Sequence, residues 1–83
     1  MEQIPNVTLY TRKGCCLCEE AKQVLDAVRN RASFELHQVD IDGDPALQRM
    51  YNDEVPVIAI NGAKAFKYRV TADELLRKLA ARR

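Results

Sequence analysis

All the cysteines in this chain fall inside one tetrapeptide, Cys15-Cys16-Leu17-Cys18. That placement constrains the fold more than any other feature. Thiols so close in sequence cannot staple distant segments together, so the 83-residue chain must hold its shape by burying apolar side chains. An odd, clustered set of three is also no secreted disulfide framework, which spreads an even number along the chain. The length allows one core and not two, so a single domain over residues 1–83 is expected.

The apolar period changes at the cysteines. Val7-Thr8-Leu9-Tyr10 is short and β-rich and predicts a strand. Thr11-Arg12-Lys13-Gly14 is a polar turn. From Cys16 onward, Leu17, Ala21, Val24, Leu25 and Val28 recur at helical spacing. Glu19 and Glu20 lie near the start of that helix and Arg29 and Arg31 near its end, as the helix dipole favours. Residues 34–41 predict a second strand. Asp44 can cap a short helix that Pro45 begins, with Leu47, Met50 and Tyr51 as its apolar side.

Val57-Ile58-Ala59-Ile60 predicts a third strand. Asn61-Gly62 is a hairpin signal, because both residues tolerate positive φ, and residues 65–68 return antiparallel. Thr71-Ala72-Asp73-Glu74 is a capping box, with Val70 and Leu75 placed as a hydrophobic staple. Leu75, Leu76, Leu79 and Ala80 form the buried stripe of the last helix. Arg77, Lys78, Arg82 and Arg83 crowd its end. The order βαβαββα predicts an α/β fold: a four-stranded mixed sheet with helices on both faces and a right-handed parallel crossover first.

Cys15-x-x-Cys18 therefore sits between a strand and the start of a helix. Only a thiolate attacks a disulfide, and the free N–H groups of a helix N-terminus favour a thiolate. Cys18 lies about one helical turn after Cys15, near enough to close a disulfide on it. Cys15 is thus the expected nucleophile and Cys18 the resolving thiol. Arg12 and Lys13 add positive charge beside the site and are candidates for holding substrate. Glu19 and Glu20 oppose them, and the balance predicts a lowered Cys15 pKa. Cys16 is either a small side chain that fits or a third exchangeable thiol.

A closed zinc site needs four ligands. The chain has three thiols and one histidine, His37, which falls in a strand, so no metal or other cofactor is expected of one chain. An iron–sulfur cluster or metal carried between two protomers is the alternative, and a partner-binding module without activity is another. Tyr10, Tyr51 and Tyr68 read as core or rim aromatics. Val55-Pro56 stands just before the third strand, where a proline that cannot donate to the sheet belongs.

The formal net charge is +1, which argues against a nucleic-acid binder. No apolar run reaches the length of a membrane span, and the first residues carry no signal-peptide pattern. A cytoplasmic, monomeric protein is expected. The small net charge hides two opposed parts. Residues 1–62 hold six basic and ten acidic side chains, and residues 63–83 hold seven and two.

Leu9-Tyr10-Thr11-Arg12-Lys13-Gly14-Cys15-x-x-Cys18, then Val39-Asp40-Ile41-Asp42, then Val55-Pro56-Val57, together resemble a glutaredoxin-like member of the thioredoxin superfamily over roughly the whole chain. The resemblance implies a thioredoxin-like fold and a small thiol–disulfide oxidoreductase. It implies that Val55-Pro56 is a cis bond facing the cysteines, and that the Val55 backbone pairs with an extended substrate. The partners it implies are a disulfide-bonded protein or a low-molecular-weight thiol such as glutathione, with a reductase as electron donor. The sequence departs from that family in having Cys-Leu between the cysteines. Glu54 and Arg69-Val70 stand where the family holds glutathione; Glu54 would repel its carboxylates and Arg69 would attract one.

Overall fold

In the computed structural model, which describes residues 4–81, the chain alternates strands and helices. Its elements are β1 (Asn6–Thr11), α1 (Cys16–Arg29), β2 (Glu35–Asp40), a 3₁₀ turn (Ile41–Gly43), α2 (Pro45–Tyr51), β3 (Val57–Ile60), β4 (Ala63–Lys67) and α3 (Ala72–Ala81). The expected α/β order is present, with the 3₁₀ turn added. Arg82 and Arg83, expected to end the last helix, lie outside the described residues.

The strands form one mixed sheet in the order β2-β1-β3-β4. β1 runs parallel to β2, with Leu9 opposite Gln38 and Thr11 opposite Asp40. β3 runs antiparallel to β1, with Tyr10 opposite Val57. β4 closes the hairpin, and an irregularity between Ile58 and Ala59 shifts its register. Asn61 (φ 52°) and Gly62 (φ 86°) supply the positive φ values that a tight hairpin turn requires.

The alternation of each strand decides which residues meet which helix. Val7 and Leu9 of β1 share a face with Ile60 and Ile58 of β3. That face packs with Ala21, Leu25 and Val28 of α1 and with Leu75 and Leu79 of α3 into the main core. Burying each large apolar side chain there contributes about 1.5–3 kcal/mol. The opposite face carries Tyr10, whose ring lies 4.8 Å from that of Tyr51 at the end of α2.

Two expectations about apolar stripes are corrected. Met50 is 59% exposed, and α2 buries none of its residues. A helix of seven residues is two turns long, and it meets the sheet through Tyr51 at its last position. Ala80 is exposed rather than part of the α3 stripe, where Leu75 and Leu79 are buried and Leu76 is partly so. The Thr71 capping box forms as expected: Glu74 N–H donates to Thr71 Oγ1 at 3.2 Å, and Thr71 N–H donates back to Glu74 Oε1 at 3.3 Å.

Candidate active site

The strand register gathers three segments at one end of the sheet. β1 ends at Thr11 and leads through Arg12 and Lys13 to the cysteines. Val57 pairs with Tyr10, so Val55-Pro56 enters the sheet at that same end. Lys67 pairs with Val57, so β4 leaves the sheet there as well. The Val55-Pro56 bond is cis. Pro56 is buried, and its carbonyl accepts the N–H of Tyr68 at 2.9 Å. The N–H and C=O of Val55 make no hydrogen bond among the described residues.

Gly14 makes the turn into α1 with φ 76°, a value that side-chain-bearing residues rarely adopt. Cys15 then takes an extended conformation as the N-cap of the helix. Its Sγ accepts the backbone N–H of Cys18 at 3.2 Å. Cys15 is half-buried, Cys16 is exposed and Cys18 is buried. All are free thiols. Cys18 also forms part of the wall of a crevice of about 310 Å³ between β1, β2 and the start of α1, with Lys13, Glu19, Lys22 and Asp40 at its edges.

The electrostatics of Cys15 differ from expectation. Burial pushes its thiol above the ordinary value, and a hydrogen bond with the Cys18 thiol adds to the rise. The backbone N–H groups of Cys18 and Leu17 pull the other way without cancelling it. The expectation of a lowered pKa is therefore corrected. It counted the helix N-terminus and the neighbouring cations but not the removal of the sulfur from water.

Arg12 is committed elsewhere. Its Nη2 lies 2.7 Å from Asp42 Oδ1, and its Nε reaches Oδ2 at 3.4 Å. Its Nη1 donates to the side-chain oxygen of Asn52 at 2.9 Å and to the Asn52 carbonyl at 3.2 Å. Through this contact the Asp42 carboxylate raises the Arg12 pKa and the guanidinium lowers that of Asp42. Arg12 thus ties the loop before the cysteines to the 3₁₀ turn and to the end of α2. The sequence marks Asp42 only as part of the Val39-Asp40-Ile41-Asp42 motif and does not mark Asn52; the fold brings both to Arg12. Lys13 is exposed.

Glu54 lies 2.7 Å from Lys64 Nζ, an ion pair that lowers the carboxyl pKa. That pairing offsets the negative charge expected beside Val55. His37 is exposed on β2 with Glu35 Oε1 at 3.6 Å, away from the cysteine end. Among the described residues, no group of three His, Cys, Asp or Glu side chains is placed to share a metal ion. No described helix is long and apolar enough to cross a membrane.

Known proteins share this architecture. A family profile described as "Glutaredoxin-like domain (DUF836)" matches residues 6–80. The "Glutaredoxin-like protein YDR286C homolog" of Dictyostelium discoideum is 33% identical over 78 residues, covering 84% of this chain and 70% of its own. The solution structure of protein Ne2328 from Nitrosomonas europaea superposes with a TM-score of 0.81 at 31% identity, covering 94% of each chain. A malaria-parasite thioredoxin-2 structure, at 20% identity and a TM-score of 0.74, covers 96% of this chain and 84% of that one and shows the fold alone.

Proposed function

This chain belongs to the glutaredoxin-like family of the thioredoxin fold, with a redox or thiol-related role, and on that premise we propose that it is a thiol–disulfide oxidoreductase acting through Cys15 and Cys18. One observation carries this reading. A half-buried thiol caps a helix, and a second, buried thiol lies one turn behind it, with the first sulfur bonded to the second residue's N–H.

The chemistry follows from that arrangement. Cys15 loses its proton to solvent, and its thiolate attacks one sulfur of a substrate disulfide. The substrate S–S bond breaks, one half leaves as a thiol, and the other half stays bonded to Cys15. Cys18 then loses its proton and attacks Cys15 Sγ. A Cys15–Cys18 disulfide forms and the second substrate thiol leaves. Two electrons pass from the protein dithiol to the substrate, and an external thiol or a reductase returns them. The raised Cys15 pKa makes thiolate scarcer at neutral pH, and it also makes each thiolate a stronger nucleophile.

The N–H and C=O of Val55, which have no hydrogen-bond partner among the described residues, lie beside the cis-Pro56 and suit an extended substrate backbone that adds like a short strand. Arg12 in this reading is a positioning residue rather than a substrate contact, because its donors are already bonded to Asp42 and Asn52. A reductase role suits the cytoplasm, where thiols are kept reduced. The decisive experiment replaces Cys18 with Ser and offers disulfide substrates. A mixed disulfide on Cys15 should accumulate and be visible by mass spectrometry. If neither the wild type nor this variant forms one with any disulfide offered, the reading is wrong.

A further inference from the structure

Tyr68 has a backbone that its side chain disfavours. Its φ is 69°, a region that a bulky L-residue rarely enters. Arg69 N–H donates to the Lys67 carbonyl at 2.8 Å across it. A bond from residue i to i+2 with positive φ between them is the strained form of γ-turn. The turn is pinned to the site by the Tyr68 N–H, which donates to the Pro56 carbonyl at 2.9 Å. The side chain is not part of the core, and Tyr68 is 43% exposed. Backbone strain held beside an active site, around an exposed side chain, calls for a role in function.

The flanking charges indicate what the ring meets. Lys67 Nζ lies 5.5 Å from the Tyr68 ring centroid. Neither Lys67 nor Arg69 has a carboxylate partner within ion-pair distance among the described residues. Both belong to the segment from residue 63 onward, in which basic side chains outnumber acidic ones seven to two. Nearby Lys64, by contrast, is neutralised by Glu54. Two cations without an ion-pair partner among the described residues therefore neighbour the exposed Tyr68, Lys67 with its ammonium over one face of the ring and within electrostatic reach of Glu54, at the sheet end that carries Val55, Pro56 and the cysteines.

We propose that Tyr68, with Lys67 and Arg69, forms a docking arm for an extended protein segment that carries an apolar or aromatic residue and acidic residues next to its disulfide. This rests on the dithiol reading and names its substrate class. The segment pairs its backbone with Val55, places its apolar side chain on the Tyr68 ring and sets its carboxylates against Lys67 and Arg69. A small hydrophilic disulfide has no side chain for the ring, so a polypeptide uses the whole arm.

The test uses two disulfide-linked synthetic peptides of equal length. One carries Phe, Asp and Glu around its cysteine, and the other carries Ser and Lys at those positions. Hydroxyethyl disulfide, which has neither ring nor charge, is the reference rate. The wild type should favour the acidic aromatic peptide by about tenfold in kcat/KM, a contact worth about 1.4 kcal/mol. Tyr68→Gly should reduce that preference through KM, leaving the share that Lys67 and Arg69 carry, while the protein stays at least as thermostable as wild type because glycine relieves the positive φ. Tyr68→Phe should keep the preference. Charge reversal by Lys67→Glu with Arg69→Glu should invert it.

Binding of the S-methylated peptides to a Cys15→Ser, Cys18→Ser variant, followed by NMR titration, reads docking without chemistry. Peptide binding with no disulfide reduced would sink the dithiol reading and leave the arm standing. Reduction of hydroxyethyl disulfide with no peptide preference would overturn the arm and leave the dithiol reading standing. A Tyr68→Gly protein that melts earlier than wild type, or that loses glutathione disulfide reduction rather than peptide preference, would also overturn it. The first outcome marks Tyr68 as structural, and the second marks a small-molecule site.

Discussion

The two long helices begin with the same hydrogen bond made by different atoms. At α3, Thr71 Oγ1 accepts the N–H of the residue three positions on at 3.2 Å. At α1, Cys15 Sγ does the same, also at 3.2 Å. The third helical residue then answers the cap. In α3 it is Glu74, which reaches back to the Thr71 N–H and hydroxyl. In α1 it is Cys18, whose thiol interacts with the Cys15 thiol. The CxxC spacing is thus the spacing of a capping box with sulfur in both places. One helix start is closed by oxygen chemistry that holds it shut. The other is closed by atoms that can exchange the cap for a covalent bond.

The largest expected effect separates the two functions of the α1 cap. Cys15→Ser should abolish exchange through the Cys15–Cys18 couple while leaving the fold as stable as before or slightly more so, since serine is a preferred N-cap. Exchange assays and urea melts on the same sample check both halves. Next come changes that strike both helices alike. Leu25→Ala and Leu75→Ala should each cost about 2–5 kcal/mol, because both leucines are fully buried in one shared core. A large inequality between them would show that one helix is docked more loosely than the other.

Smaller effects belong to the caps themselves. Thr71→Ala should cost about 1 kcal/mol in urea denaturation, with exchange activity retained. Cys15→Ala should cost less than that, because sulfur is a weak acceptor. The smallest effect is a pH slope. Folding raises the Cys15 pKa, so the native state holds that proton more tightly than the unfolded chain does. Stability should be unaffected well below the ordinary thiol value of about 8.5, and should fall as pH rises from there through the folded value. Cys15→Ser should remove that contribution, and Thr71→Ala should leave it in place. Melts on both sides of the thiol range read the difference.

These contrasts show which features could be read from residues alone. The α3 start was legible because a capping box is local: Thr71, Glu74, Val70 and Leu75 contain everything it needs. The element order and the hairpin at Asn61-Gly62 were legible for the same reason. The cysteine pair was legible as a spacing at a change of period. Its thiol chemistry was not, because burial depends on how the sheet end closes around Cys15. The role of Arg12 was read from its nearness in sequence to the cysteines. Its partners, Asp42 and Asn52, lie 30 and 40 residues away, so only the folded register brings them to it. Tyr68 carried no local sign of a positive φ, since tyrosine does not favour one; the turn follows from how β4 leaves the sheet beside Pro56.

The Arg12 contacts have a further consequence in polymer terms. One planar cation closes two chain loops, of 30 and 40 residues. Closing a loop costs entropy that grows only with the logarithm of its length. Once Asp42 is held, α2 brings Asn52 within reach, so the second closure adds little to the first. Breaking the knot releases both loops together. The segment before the nucleophile and the segment before Pro56 should therefore exchange their amide protons as one cooperative unit rather than as two independent loops.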